Sequence, residues 1–560
     1  MPSQPRWRTV TCPQPGSRLL AAAGAVVAVL LCTIPAFADE LANEVRRLAD
    51  GGTHPWLRRS RFPEHQADVQ AAYAPGGFLP IWVRGGKPTP QATAIIAALG
   101  EADRHGLAAA DYDAERLEAE RHRLADASQP AVHDVALFDV ATTVSVMRFA
   151  SDSHRGRIDP RGVGFELAVE RKTMDLPRIA RELAQDSAPA ERLAELEPGF
   201  TVYGRLEEAL ARVRALAART DLPAVPALPK LRPGDTHPAM PALRQRLTAL
   251  GDLAEGTPVP HDPTLYDPAL ATAVQNFQRR HGLDPDGVIG AATLRQLQTP
   301  LADRVKQVQL AMERLRWLPA QFPERFLTVN IPEYRLRCYE HGQRTPQLAM
   351  NIVVGSSARK TQTPVLFADM RYVIFQPYWN VPPGITREEI LPRLRREPGY
   401  LAREKMDIIA SGKALPQTPD SIAQLTSGGA RLRQRPGPHN ALGLLKFIFP
   451  NPKHVYLHDT PSKGLFKRSR RDFSHGCIRV QDPVGLAEFV LRGQDSWDRQ
   501  RIVQTMNDET PGHTDRRVDL RSPVAVYLFY TTVVEENGTL YFLDDIYGHD
   551  AKLARLLEQR

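Results

Sequence analysis

Cys477 stands out for chemistry because of the residues around it, Ser474-His475-Gly476-Cys477-Ile478-Arg479. A cysteine reacts as its thiolate, so a catalytic one needs a cationic or hydrogen-bonding neighbour that favours that form. His458 can supply it. It ends the apolar run Val455-Tyr456-Leu457-His458, nineteen residues before Cys477, and the loop between them is long enough to fold back. A thiol beside an imidazole is equipped to attack a carbonyl, the histidine taking and returning the proton. Gly476 allows an unusual backbone conformation and lets substrate approach the N–H groups of Gly476 and Cys477, donors that can hold an oxyanion. Arg479, two residues on, shares a face with Cys477 if the segment alternates as a strand. It is open to two readings: a group that stabilises the thiolate or binds a substrate carboxylate, or a structural ion pair. His458, His475 and Cys477 could in principle ligate zinc. Against this, His475 and Cys477 are only two apart, no CxxC or HExxH spacing is present and no fourth ligand offers itself, so neither metal nor cofactor is expected.

The elements that must position this set are short strands. From Phe326 the apolar pattern changes from period 3.6 to period 2, with strands expected at Phe326 to Asn330, Gln347 to Val354, Val365 to Ala368, Tyr372 to Phe375 and His454 to His458. Strand character returns at Val524 to Val533 and Thr539 to Leu543, where an Asn-Gly pair predicts a tight turn. Between about 384 and 442 the alternation gives way to helical, Gly- and Pro-punctuated sequence, an insertion long enough to act as a lid. Cys338 falls in the alternating stretch Thr328 to Tyr339 and reads as a strand residue without a chemical role.

Upstream, residues 39–222 are mostly helical, with apolar residues three and four apart in Thr93 to Glu101, Ala136 to Phe149 and Leu206 to Ala218. Ile81-Trp82 after a Gly-rich turn is either a ligand platform or a buried aromatic anchor. A proline-rich linker, Asp221 to Pro233, leads into a compact unit at 231–299. Its helices place Leu243, Leu247 and Leu250, then Ala273, Val274 and Phe277, on one face, and end in a third from Ala291 to Leu297.

Composition sets the limits. A chain of 560 residues needs several cores, and 42% hydrophobic with 24% charged residues is ordinary for globular material. The net charge of +8 comes from 72 basic and 64 acidic residues, a modest excess. The densest basic run, Lys467 to Arg471, lacks the broad footprint and stacking residues of a nucleic-acid site, and is either solvated loop charge or a site for substrate carboxylates. Arg6, Arg8 and Arg18 precede the apolar run Leu19 to Leu31 and the small-x-small sequence Ala36-Phe37-Ala38, the layout of an export signal that is either cleaved after residue 38 or kept as a membrane anchor. Export with few thiols fits, since Cys12 and Cys32 leave with the leader and only Cys338 and Cys477 remain.

Two stretches carry a family resemblance. Leu231-Arg232-Pro233-Gly234-Asp235, Ala273-Val274-Gln275-Asn276-Phe277-Gln278 and Asp286-Gly287-Val288-Ile289-Gly290 resemble the three-helix peptidoglycan-binding domain found beside wall enzymes. Ser474-His475-Gly476-Cys477-x-Arg479 with His458 upstream resembles the L,D-transpeptidase catalytic domain. Gly437-Pro438-His439-Asn440, His458-Asp459-Thr460-Pro461 and Asp544-Asp545-Ile546-Tyr547-Gly548-His549-Asp550 are similar to the long, lid-bearing branch of that family. The resemblance implies a multidomain α+β protein: a helical scaffold domain at 39–222, a three-helix peptidoglycan-binding domain at 231–299, and a mainly β catalytic domain at 325–505 with a helical lid insertion, completed by strands and a helix at 515–560. It implies Cys477 as nucleophile and His458 as its proton partner, with Gly476, Ser474, His475 and Asp459 around the oxyanion and behind the pair, and Arg479 and Tyr456 toward substrate. A backbone carbonyl, rather than the Asp459 side chain, is expected to orient the histidine. The implied partners are peptidoglycan stem peptides and glycan strands in the periplasm or cell envelope, with no nucleic acid, and a position peripheral to the membrane once the leader is cleaved. The implied reaction forms 3–3 cross-links; resolution by water (an L,D-carboxypeptidase) and a non-catalytic wall anchor are the alternatives.

Overall fold

The computed structural model describes residues 37–167, 172–340, 342–343, 345–494, 497–508, 510 and 513–560. The expected leader, 1–38, lies outside these apart from its last two residues. Among the described residues no helix is long and apolar enough to cross a membrane. The described residues divide into two compact units, one within 37–103, 107–152 and 174–196, the other within 104–106, 153–173 and 197–560.

The first unit is helical. Its core gathers on the stretch 135–150 of the long helix Val132–Arg155, where Val135, Phe138, Val144 and Ala150 are fully buried. Asp139 on that helix is buried too, and accepts hydrogen bonds from the Tyr73 hydroxyl (2.6 Å) and the backbone N–H groups of Ile81 (3.1 Å) and Trp82 (2.7 Å). The Trp82 indole donates to Thr143 at 2.9 Å and is fully buried, so Ile81-Trp82 is an aromatic anchor and not a ligand platform.

The second unit holds the three helices Met240–Ala249, Pro268–Arg280 and Ala291–Gln298, with Leu243, Leu247, Ala273, Val274 and Phe277 inward. Asp267 caps the middle helix by accepting from Leu270 N–H at 2.9 Å. Helix Thr201–Ala217, whose sequence reads as a continuation of the amino-terminal helices, packs instead in this unit, where Tyr203, Leu206 and Leu210 share a cluster with Val308 and Met312 of helix Leu301–Arg316. Its apolar face fixes that it is helical; which partner covers the face is a tertiary matter.

The rest is β structure with an insertion. Among the described residues nine strands form one sheet: β1 (Arg325–Asn330), β2 (Arg335–Glu340), β3 (Leu348–Gly355), β4 (Leu366–Phe375), β5 (Leu445–Ile448), β6 (Leu457–His458), β7 (Asp472–Ser474), β8 (Ile478–Val480) and β9 (Arg516–Phe529). Their order is β7-β3-β8-β6-β5-β4-β9-β1-β2, and β2 also pairs with β3, so eight strands close on themselves and leave no open edge among them. The expected pair Val365 to Ala368 and Tyr372 to Phe375 is a single strand, β4, because the break in its pairing lies in the partner, between Asp519 and Val524 of β9. Cys338 points into the core and is fully buried. The Asn537-Gly538 turn joins Val533–Glu536 to Thr539–Phe542 with φ of 52° and 82°, as a two-residue hairpin requires.

The insertion has its own core of Ile390, Leu394, Leu401, Ile408 and Leu432. It carries the helices expected there, among them Pro419–Ser427 with a Thr418–Ser421 capping box. It also carries strands Met406–Ala410, Lys413–Leu415 and Arg431–Gln434, which pair in a small sheet with Trp379–Asn380.

Candidate active site

Alternation along three adjoining strands builds the site. Leu445 and Phe447 of β5, Leu457 of β6, and Ile478 and Val480 of β8 are fully buried in the barrel core. Lys446, His458 and Arg479 therefore project from the opposite face, because successive side chains in a strand alternate. Register puts them in one row, with Lys446 opposite His458 and His458 opposite Arg479. Cys477 immediately precedes β8. It lies beside Tyr456, which precedes β6 and whose carbonyl accepts from Ile478 N–H at 3.0 Å. The site is thus a patch of sheet surface with Tyr456 and His458 on one strand line and Cys477 and Arg479 on the next.

Burial of the Cys477 thiol pushes its pKa up. Hydrogen bonds to the sulfur from the backbone N–H and the phenol of Tyr456, together with the charges of Lys446 and Arg479, pull it back down. His458 Nδ1 lies 2.5 Å from the carbonyl oxygen of Asp459. A carbonyl only accepts, so Nδ1 carries the proton and Nε2 keeps its lone pair for use as a base. Burial, then the charge of Arg479, then that of Lys446 push the His458 pKa down to about 3, against the Asp459 and Leu442 carbonyls. The imidazole is neutral at pH 7. The same two cations that favour a thiolate disfavour an imidazolium, so this surface is tuned for negative charge.

Asp459 meets the imidazole through its backbone carbonyl. Its carboxylate is turned to Lys463 Nζ (2.5 Å) and the Leu444 N–H (3.0 Å). Arg479 and Lys446 form no ion pair with a carboxylate among the described residues, and Arg479 Nε is buried without a hydrogen-bond partner there. Lys446 Nζ sits 4.0 Å from the centre of the Tyr456 ring, a cation–π contact.

The loop that carries Cys477 is held from behind. Ser474 Oγ donates to the Cys477 carbonyl (2.5 Å) and accepts from the Gly476 N–H (3.1 Å). That N–H is thus engaged inside the loop, and the Cys477 N–H is the one left for an oxyanion. Gly476 has φ of 113°, a conformation that favours glycine. Thr363 donates to the Gly476 carbonyl (2.8 Å) and Thr361 to that of Ser474 (3.0 Å). Tyr547, from the carboxy-terminal segment, donates to the Gly355 carbonyl (2.6 Å) and accepts from the Thr363 N–H (3.2 Å), tying residues 515–560 to the site. His475 Nε2 meets Glu389 of the insertion at 2.5 Å, and Arg359 reaches the same carboxylate at 3.3 Å. His475 is therefore engaged with the insertion.

Among the described residues, the group whose potential ligand atoms converge within 4.8 Å is His105, Glu197 and Glu207, none of them in the catalytic motif. Burial opposes the charge of His105, but Glu197 and Glu207, each 2.7 Å from Nδ1, outweigh it and raise its pKa to about 9, so the group holds together as an imidazolium between carboxylates. Sequence reasoning missed Lys446 and Glu389. Lys446 lies in an alternating apolar stretch where any lysine reads as an outward-facing charge, and Glu389 is one of several charges in the insertion.

Residues 67–210 match the family model of a scaffold domain, 236–297 that of a "Putative peptidoglycan binding domain", and 324–504 that of an L,D-transpeptidase catalytic domain. A curated protein of Haemophilus influenzae named "Putative L,D-transpeptidase" is 34% identical over 249 residues, 44% of this chain and 48% of that protein. The chain thus spans about half the length of this curated relative. A crystal structure of the L,D-transpeptidase (residues 123-326) from Xylanimonas cellulosilytica aligns at 16% identity over 54% of this chain and 99% of that one, with a TM-score of 0.16. In chain order, then, a stretch similar to a scaffold domain, one similar to a peptidoglycan-binding domain and one similar to an L,D-transpeptidase catalytic domain follow one another.

Proposed function

We propose that this protein is a peptidoglycan L,D-transpeptidase, forming 3–3 cross-links through a thioester on Cys477. The observation that carries the reading is the row Lys446, His458, Arg479 beside Cys477 and Tyr456, a surface with one nucleophile, one neutral base and two cations without carboxylate partners among the described residues.

The Cys477 thiol gives its proton to His458 Nε2 as sulfur attacks the carbonyl of the bond between the diamino acid at stem position three and the terminal D-Ala. The oxyanion forms against the Cys477 N–H in the field of the two cations. Collapse breaks the C–N bond, and the departing D-Ala amine takes the proton from His458. The amine of a neighbouring stem then attacks the thioester, loses a proton to His458, and expels the thiolate, which recovers that proton. No cofactor enters, because the thioester retains the energy of the cleaved amide. Arg479 fits a substrate carboxylate, and Tyr456 keeps its phenol on the sulfur. On this reading the protein works in the cell envelope, in keeping with the leader-like sequence at 1–38.

The test is incubation of the mature protein and its Cys477→Ala variant with a disaccharide tetrapeptide. Release of D-Ala with a dimeric muropeptide, absent from the variant, is the expected result. Tripeptide alone would make water the acceptor, and no D-Ala release with retained binding to sacculi would sink the enzyme reading.

A further inference from the structure

A second site lies between the peptidoglycan-binding helices and the loop that precedes the catalytic motif. A cavity of about 1260 Å³ runs between residues 278–295 and 466–471, floored by Tyr334, Asn351 and Gln481. Neither Cys477, His458, Lys446 nor Arg479 lines it. It exceeds the roughly 300–1,000 Å³ of a small-molecule pocket, so a segment of polymer fits it better than a metabolite.

Its chemistry is lopsided. Nine Lys and Arg side chains line it against five Asp and Glu. Several acids are already engaged: Glu333 takes Arg337 at 2.6 Å, and Asp544 accepts from Gln296 at 2.6 Å. Arg470 is held by Asp472 at 2.7 Å, and Arg471 donates to the carbonyls of Ile352 (3.2 Å) and Tyr334 (3.3 Å), which fix the loop. Arg279 donates to Asn276 (2.9 Å) and Arg335 to Asn351 (3.1 Å). Lys230, Arg232, Arg295, Lys467 and Arg468 remain, in no ion pair with a carboxylate among the described residues and exposed along both walls. Like charges gathered across a groove repel one another, and an anionic ligand relieves that repulsion.

The geometry points to this groove as a docking site for the free carboxylates of peptidoglycan stem peptides, separate from the catalytic patch and holding the polymer against the enzyme. This rests on the proposed function for the identity of the polymer. Both walls belong to stretches that match peptidoglycan-directed family models, and the groove is built by the basic loop that the catalytic chemistry leaves unused.

The test uses the full mature chain, its Arg232→Glu, Arg295→Glu, Lys467→Glu triple variant, and the corresponding triple glutamine variant, in sedimentation with purified sacculi. The expected result is at least a tenfold loss of affinity for the glutamate variant and a smaller loss for the glutamine one. Wild-type binding should fall likewise when sacculus carboxylates are amidated, and persist after hydrofluoric acid strips phosphate polymers. Glutamate-variant binding equal to wild type overturns the proposal, as does binding lost on phosphate removal but not on amidation. D-Ala release from the soluble disaccharide tetrapeptide, run alongside, separates the two claims: its absence in wild type counts against the transpeptidase reading alone, whereas equal release by wild type and variants with unequal sedimentation supports the groove.

Discussion

Replacing Lys446 with methionine keeps the length and packing of the side chain and removes one positive charge from the active surface. Lys446 lies one strand from His458 and two from Cys477, and its Nζ sits 4.0 Å from the centre of the ring whose phenol touches the sulfur. A phenol oxygen lies about 2.8 Å from its ring centre and a hydrogen-bonded sulfur roughly 3.3 Å beyond it, which with Nζ over the ring face places Nζ on the order of 7 Å from Sγ. At an effective dielectric of about 20, unit charges at that distance interact by about 2 kcal/mol, and half that survives partial screening, roughly one pKa unit. The sign is fixed. Lys446 stabilises the thiolate, so its loss raises the Cys477 pKa further, and it repels an imidazolium, so its loss lets the His458 pKa rise. The assay is the rate of iodoacetamide alkylation of Cys477 against pH, read by intact mass, with the buried Cys338 as the unreactive control. The wild-type profile should rise at a pH above that of a free thiol, and the Lys446→Met profile should move about one unit higher, a loss of about tenfold in rate near pH 7.5. An unchanged profile, or a shift to lower pH, would refute the claim that this lysine shapes the field at the sulfur.

Removing the base by His458→Gln should lower the rate of D-Ala release by about 10²–10⁴-fold while leaving sedimentation with sacculi unchanged. Glu389→Gln takes the charge from the contact with His475 and Arg359; a partly exposed pair of this kind contributes about 0–1 kcal/mol, so global melting should hardly move while protease cleavage within 384–442 speeds up, and equal cleavage would show that the contact does not hold the insertion. Tyr547→Phe removes a donor to Gly355 and an acceptor for Thr363, which should destabilise the second unit by about 1–3 kcal/mol in a urea titration and slow turnover as the nucleophile loop loosens.

Much of the molecule was legible because its signals are local. The alternation of Leu445 to Phe447 and Leu457-His458 fixes which side chains turn to the core, Asn537-Gly538 fixes a hairpin, and the glycine beside Cys477 fixes where the backbone must turn. These depend on residue type and short spacing. Helix Thr201–Ala217 shows the limit: its amphipathic pattern gives its conformation, while its partner, helix Leu301–Arg316, lies a hundred residues away in sequence.

Residue type and short spacing alone single out the motif around Cys477 with His458 upstream, the helical and alternating stretches, and the Asn537-Gly538 turn. Only the tertiary structure decided the environment that sets the protonation of Cys477 and His458. Lys446 joins the site because β5, β6 and β8 pair in one register across more than thirty residues. The Gly476 N–H is taken by Ser474 because the loop folds on itself, and His475 faces Glu389 because the insertion returns to the nucleophile. The physical reason is the same in each case. Burial and the nearness of charges arise from contacts between segments far apart in the chain, and no local pattern of residues encodes which of those contacts form.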